Sequence, residues 1–159
     1  MYAMLAQAAA KGHRVFCLGA TAEVLGRAVR EFERLYPGVI IAGSHHGYFN
    51  GQAEEAAVAE AVRRSRADIL FVAMTSPKKE TFLARWSETM GAPVCHGVGG
   101  SFDVAAGVVR RAPVLWQRLG MEWLYRVLQE PGRMWRRYLV TNTLFCWMLA
   151  RAMVSGRRT

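Results

Sequence analysis

At 159 residues, with 52% hydrophobic and 21% charged content, the chain is long enough to bury an ordinary core as one domain, and wholesale disorder is excluded. The net charge of +9 is uneven: residues 110–159 hold ten arginines against Glu122 and Glu130, a balance of +8, while the preceding part balances to +1. The positive field is therefore a C-terminal device for meeting an anionic partner and not a general solubility feature.

The N-terminal stretch MYAMLAQAAAKGHR has no basic region ahead of its apolar part, so it is a poor signal peptide and reads as a helix ending at Gly12. Four short apolar runs follow, Val15–Leu18, Val39–Ala42, Ile69–Ala73 and Val94–Val98. Each is continuous and not alternating, as expected for strands buried on both faces of a parallel sheet. Amphipathic stretches lie between them, roughly Ala22–Leu35, Ala53–Arg64 and Lys79–Met90, punctuated by Pro37-Gly38 and stopped by Gly91. This alternation predicts an α/β fold, a Rossmann-like parallel sheet with flanking helices. Cys17 and Cys95 sit in the apolar runs and read as small core residues of a reducing compartment; with Cys146 they make an odd number without metal-ligand spacing.

Ligands of such sheets sit beyond the carboxyl ends of the strands. Four turns take that position: Gly19 to Thr21, Gly43 to Gly51, Met74 to Lys79, and Gly97 to Asp103. None matches the dinucleotide fingerprint, because Gly97-Val98-Gly99-Gly100 runs into Ser-Phe-Asp without a third glycine in place, and there is no P-loop, which disfavours an NAD-dependent enzyme. Glycines after a strand, here Gly99 and Gly100, let backbone N–H groups approach a phosphate, and Asp103 suits a ribose or base hydrogen bond or the cap of the next helix. The only aspartates are Asp68 and Asp103, so no Asp-x-Asp pair exists to hold a divalent metal, and His13, His45, His46 and His96 do not fill that gap. No cofactor and no metal site are expected; a departing diphosphate would be stabilised by amides and cations. Arg126, Arg133, Arg136 and Arg137 supply planar, permanently charged forks for that task. Asp68 opens its strand at the amino end, on the opposite edge from the ligand.

Ordered landmarks run the length of the chain: YPG at 36–38, GYF at 47–49, SPKKE at 76–80, GGSFD at 99–103, RAP at 111–113, EWLYR at 122–126, EP at 130–131 and a trailing Arg/Trp cluster. Together they resemble the WecG/TagA/CpsF glycosyltransferases, glycosyltransferase family 26. The resemblance implies a transferase that moves a hexose, of N-acetylmannosamine type or another, from a UDP-sugar to a polyprenyl-diphosphate-linked acceptor. The products would be precursors of surface polysaccharide, teichoic acid or exopolysaccharide. It also implies metal independence and inversion at the anomeric carbon. It assigns the nucleotide to Asp103 and places Tyr48 near sugar or nucleotide; Gly19, Gly99 and Gly100 line the same site. Arg126, Arg133 and Arg136 become the appendage arginines that reach the diphosphate or the lipid carrier.

Two departures from the family pattern stand out. Where the family reads Leu-Gly-x-Pro-x-Gln-Glu, this chain has Met74 to Glu80 with Lys79 in place of the active-site glutamine, a cation for a neutral amide. The family's Thr-x-Asn segment and the Pro-Asp-Gly of its proposed catalytic base do not occur, so the resemblance covers only about the latter two-thirds of the family's usual length. Glu80 is the one glutamate near the site that suits a substitute base. The expectation is that these 159 residues bind UDP without transferring sugar on their own.

The expected organisation is an α/β core over 1–109 and a basic helical appendage over 110–159. Tyr138–Val154 is apolar and aromatic between arginines, too short before Arg151 for a span of about 20 residues, and suits a helix lying in an anionic membrane interface. The expected location is cytoplasmic, peripheral on the inner face of the plasma membrane. Docking of this segment on the protein's own core or on a second subunit, as a homo-oligomer, is the competing expectation. Two other functions compete: a catalytically inactive, membrane-associated nucleotide-binding module, and a nucleic-acid binder using the tryptophans of the tail. The landmarks outside the tail argue against nucleic acid as a partner.

Overall fold

A computed structural model describes the backbone of residues 1–129 and 131–155, and of these all side chains except those of 126, 131, 133–138, 141, 150, 154 and 155. The chain forms two compact units, Met1–Arg110 and Arg111–Thr159.

The first unit runs α1 (Tyr2–Lys11), β1 (Arg14–Gly19), α2 (Ala22–Leu35), β2 (Ile40–His45), α3 (Gly51–Ser65), β3 (Ile69–Ala73), α4 (Lys78–Met90), β4 (Val94–Gly97) and α5 (Ser101–Ala105). All strand pairs are parallel, in the order β2-β1-β3-β4. The predicted α/β fold is therefore the observed one. Local chemistry ends the helices where the sequence suggests. Gly12 and Gly91 close α1 and α4 in the left-handed conformation, at φ 71° and 62°, a region open to glycine at little cost. Thr21 caps α2 by accepting the Val24 N–H at 3.3 Å.

Burial on both faces holds only for the two central strands. Val15 to Leu18 and Leu70 to Val72 are almost fully enclosed. On one face Leu18, Leu70 and Val72 meet Val58, Val62 and Phe82 of α3 and α4, and on the other Cys17 and Phe71 meet Leu5, Leu25, Phe32 and Phe102. The edge strands differ. All four residues of β4 are exposed, and β2 is only partly covered. The expectation that Cys95 is a core residue is thus wrong: it is exposed, because β4 has a neighbour on one side only and continuity of apolar residues cannot report strand order. Cys17 is buried as expected, and burial pushes its thiol up to about 12. The β2 run also extends further than its apolar part, through Gly43 and Ser44 to His45, so the following turn begins at His46 and His45 is a strand residue.

Asp68 sits at the amino edge, as the sequence placed it. Its carboxylate accepts the Arg14 N–H at 2.7 Å, its own N–H donates to the Arg14 carbonyl at 2.8 Å, and its carbonyl accepts from Val94 at 3.2 Å. One residue ties β1, β3 and β4 together. Asp68→Ala is expected to cost about 1–2 kcal/mol, the worth of a charge-assisted hydrogen bond at a partly exposed site. Urea unfolding measures that loss, and a calorimetric UDP titration should be unchanged because the ligand edge lies at the other end of the strands.

The second unit holds α6 (Val114–Arg118), α7 (Glu122–Gln129) and α8 (Pro131–Ser155). Trp116 meets Tyr125 edge-on, ring centroids 5.6 Å apart, which packs α6 on α7. Along α8, Leu139, Val140, Leu144, Phe145, Trp147, Met148 and Met153 are all exposed. Among the described residues no helix is long and apolar enough to cross a membrane.

Candidate active site at the carboxyl edge of the sheet

Because every strand is parallel, the turns after β1, β2, β3 and β4 emerge on one edge. Backbone hydrogen bonds stitch them together. The Ala20 N–H donates to the Ala73 carbonyl at 3.1 Å, Gly47 donates to the Ala20 carbonyl at 3.0 Å, and Val98 donates to the Val72 carbonyl at 3.0 Å. The strand order reverses direction between β1 and β3, the point at which ligands of such sheets bind.

Gly19 occupies this point with φ 126°, and a Cβ on it would overlap the backbone of Ala73. A Cβ on Gly47 would stand 3.0 Å from the Cα of Gly19 and 3.1 Å from Met74 Cγ. The missing side chains of Gly19 and Gly47 thus let the β2–α3 loop lie close against the carboxyl end of β1. That loop buries Phe49 against Phe82, centroids 5.4 Å apart, and leaves Tyr48 66% exposed between two buried neighbours.

Beside the loop, a cavity of about 470 Å³ is lined by His45, His46, Tyr48, Phe49, Asn50 and Glu54, among others. The His45 Nδ1 lies 2.7 Å from the His46 carbonyl, so this nitrogen carries the proton and donates, since a carbonyl only accepts. His46 Nδ1 is buried without a hydrogen-bond partner among the described residues. Glu54 reaches back to accept the Asn50 N–H at 2.6 Å, so it serves the start of α3.

The β3–α4 turn contributes the cations. Lys79 lies along the end of β4: its Cδ and Nζ would each be 3.1 Å from a Cβ on Gly97, so any larger residue there would push the lysine side chain aside by a few tenths of an ångström. Its ammonium pairs with Glu80 at 3.1 Å. Glu80 also accepts from the Ser76 hydroxyl at 2.7 Å, and this bond first, then the backbone and Lys79, hold its carboxyl below the usual glutamate range. A carboxylate so engaged is a weakened proton acceptor, which counts against Glu80 as a substitute base. Lys78, by contrast, was passed over in the sequence although its side chain enters the site edge: it donates to the Gly47 carbonyl at 2.9 Å. The signal available was its place at the first position of a helix following Pro77, and two adjacent lysines gave no means of telling which one turns where.

After β4 the chain passes Gly99 at φ 54° and Gly100, and α5 begins. The Ser101 hydroxyl donates to the Val98 carbonyl at 2.7 Å, closing the turn. Phe102 is fully buried, edge-on to Phe32 at 5.8 Å, and anchors the short helix on α2. Asp103 is half-buried next to that anchor, and no side chain donates to its carboxylate among the described residues. It is not the helix cap: Gly100 holds that position and Asp103 lies in the first turn. Its backbone carbonyl accepts from Val108 at 2.9 Å and Val109 at 3.2 Å, which ends the helix.

The structure therefore brings Gly19, Tyr48, Lys79, Gly99, Gly100 and Asp103 to one sheet edge. The side chains of Arg126, Arg133 and Arg136 lie outside the described residues.

Comparison with known proteins agrees with this geometry. The family described as "Glycosyl transferase WecG/TagA/CpsF family" matches residues 1–159. A curated relative from Bacillus spizizenii, N-acetylglucosaminyldiphosphoundecaprenol N-acetyl-beta-D-mannosaminyltransferase, is 40% identical over 136 residues, covering 86% of this chain and 51% of that protein. The chain thus spans about half the length of that relative. With a match along its whole length, and with the GYF, SPKKE and GGSFD segments at the carboxyl edge of a parallel sheet, the chain belongs to the WecG/TagA/CpsF glycosyltransferase family.

Proposed function

We propose that the chain serves a transferase that moves a hexose from a UDP-sugar to a polyprenyl-diphosphate-linked acceptor. The observation that carries this reading is the gathering of the GYF, SPKKE and GGSFD motifs on one sheet edge in a chain matched by that family from end to end. The relative's own name specifies an N-acetyl-mannosaminyl group and an undecaprenol-diphosphate acceptor, and an N-acetylmannosamine-type donor is the first one to test.

In this reading the Asp103 carboxylate accepts from a ribose or base donor of UDP, and the backbone at Gly99 and Gly100 lies close to the phosphates. Tyr48 offers its exposed ring to the sugar or the base. Lys79 faces the departing diphosphate, and the family resemblance gives Arg126, Arg133 and Arg136 the task of reaching the diphosphate or the lipid carrier. A cation that strengthens its interaction as negative charge develops on the leaving group lowers the barrier without tightening ground-state binding. No proton acceptor is assigned, because Glu80 is engaged by Ser76 and Lys79. That engagement also favours the second reading, a nucleotide-binding module without turnover. UDP release with an N-acetylglucosaminyl-diphospho-lipid acceptor decides between them: release above background supports transfer, and UDP binding without release supports the module.

The lipid acceptor motivates a membrane-facing role for the second unit. Ten arginines against two glutamates over residues 110–159 accompany the exposed Phe145, Trp147 and Met148 of α8, the composition of an interfacial helix. The full chain is expected to float with anionic vesicles at low salt and to lose most of that association as salt rises, since each basic residue contributes about 1 kcal/mol that is screened within a Debye length. A chain ending at Tyr138 should stay with the soluble fraction while keeping its UDP affinity. Equal flotation of both would refute this role.

A further inference from the structure

Lys78 begins α4, but its side chain crosses to the β2–α3 loop. Its Nζ donates to the Gly47 carbonyl at 2.9 Å and to the Phe49 carbonyl at 3.4 Å, and stands 4.0 Å from the centroid of the Phe49 ring. Among the described residues no carboxylate pairs with it; the neighbouring Glu80 takes Lys79 instead. A half-buried ammonium held only by neutral carbonyls and a ring face gives up much of its hydration for these contacts.

The loop does not need that ammonium to stay on the core. Phe49 is buried against Phe82, and Gly47 is bonded to the Ala20 carbonyl and packed on Gly19 and Met74. What the ammonium adds is a bracket: it grips the carbonyls of Gly47 and Phe49, the two residues that flank Tyr48, so the backbone carrying an exposed Tyr48 is held from both sides. An exposed aromatic on a restrained backbone binds a planar or sugar-faced ligand at lower entropic cost than one on a free loop.

We propose that Lys78 is a positioning residue for the nucleotide-sugar site, clamping the Gly47–Phe49 loop so that Tyr48 is presented ready-set to the UDP-sugar. This rests on the glycosyltransferase reading above, and extends it by separating two adjacent lysines: Lys79 faces the leaving group, while Lys78 never touches the ligand and acts through Tyr48.

The test uses the full chain with Lys78→Met, Lys78→Arg, Tyr48→Ala and the Lys78→Met/Tyr48→Ala double variant. Amide hydrogen exchange is followed at residues 46–50 and in β1 and β3, and calorimetry is run with UDP and UDP-N-acetylmannosamine. In Lys78→Met, exchange at 46–50 is expected to quicken by about tenfold or more while β1 and β3 are unchanged, reporting local and not global opening. UDP-sugar affinity should fall, Lys78→Arg should recover part of it through its several N–H donors, and the double variant should bind no worse than Tyr48→Ala alone. Unchanged exchange at 46–50 overturns the clamp. Additive losses in the double variant overturn action through Tyr48. A parent chain that binds neither ligand removes the glycosyltransferase reading and the ligand half of this proposal with it, while the exchange data still judge the clamp by itself.

Discussion

Gly19→Ala is expected to leave a chain that is severely destabilised or does not fold. Gly19 ends β1 at φ 126°, where a residue bearing a Cβ is strained, and its Cβ would overlap the carbonyl of Ala73 at the end of β3. That carbonyl cannot withdraw freely, because it accepts the Ala20 N–H at 3.1 Å and its strand is packed on both sides. Strain of the backbone costs about 1–3 kcal/mol and forced overpacking about another 1–3, so a loss of roughly 3 kcal/mol or more is expected out of a typical total of about 5–15. Urea titration followed by circular dichroism should show the midpoint fall by on the order of 1 M or more, given slopes of about 1–3 kcal/mol per molar. The control is Gly51→Ala. Gly51 also has a positive φ, 80°, but nothing lies within 4 Å of its Cβ position, so it should lose only the conformational part. Equal midpoints for the two variants would show that the contact between the β1 and β3 ends is not a fixed feature of the fold.

The second large effect is on binding. Asp103→Ala should lower UDP affinity by roughly 10- to 100-fold, the worth of about 1.5–3 kcal/mol for a hydrogen bond to a charged group. Folding should be little affected, because the carboxylate has no side-chain donor among the described residues and the adjacent Phe102 carries the packing of α5. Asp103→Asn keeps an acceptor of the same shape and should fall between the two. Calorimetric titration with UDP measures both, with urea midpoints as the control for folding. If Asp103→Ala binds UDP as the parent does, the nucleotide is not held by this carboxylate, and the assignment carried over from the family motif is wrong for this chain.

Different parts of the site were legible to different degrees. The boundaries of α2 and β3 follow from amphipathic period and apolar continuity, which are local properties, and both fall where the sequence places them. Asp68 could be put at the amino edge because it immediately precedes a strand whose direction is set by the alternation of strands and helices. Cys95 could not be placed, since a continuous apolar run looks the same in a central strand and in an edge strand. Nor could the helix cap at Gly100 be told from one at Asp103, because a two-glycine turn leaves the first helical residue undetermined. The division of labour between Lys78 and Lys79 was equally hidden. Adjacent residues at the start of a helix point about 100° apart, and which of them meets the β2–α3 loop depends on how α4 is rotated on the sheet.

The sequence by itself determined the parallel α/β architecture, the edge at which the turns emerge, the concentration of positive charge after residue 110, and the family, because each of these is carried by pattern, order and residue type along the chain. Tertiary structure alone decided that β1 and β3 are central while β2 and β4 are edges, that Gly19 and Gly47 meet at the reversal of strand order, and that Lys78 grips the loop while Lys79 lies along Gly97. The physical reason is separation along the chain. Gly47 and Lys78 are 31 residues apart and Gly19 and Ala73 farther still, so their contacts arise from the packing of whole elements, on which local sequence pattern is silent.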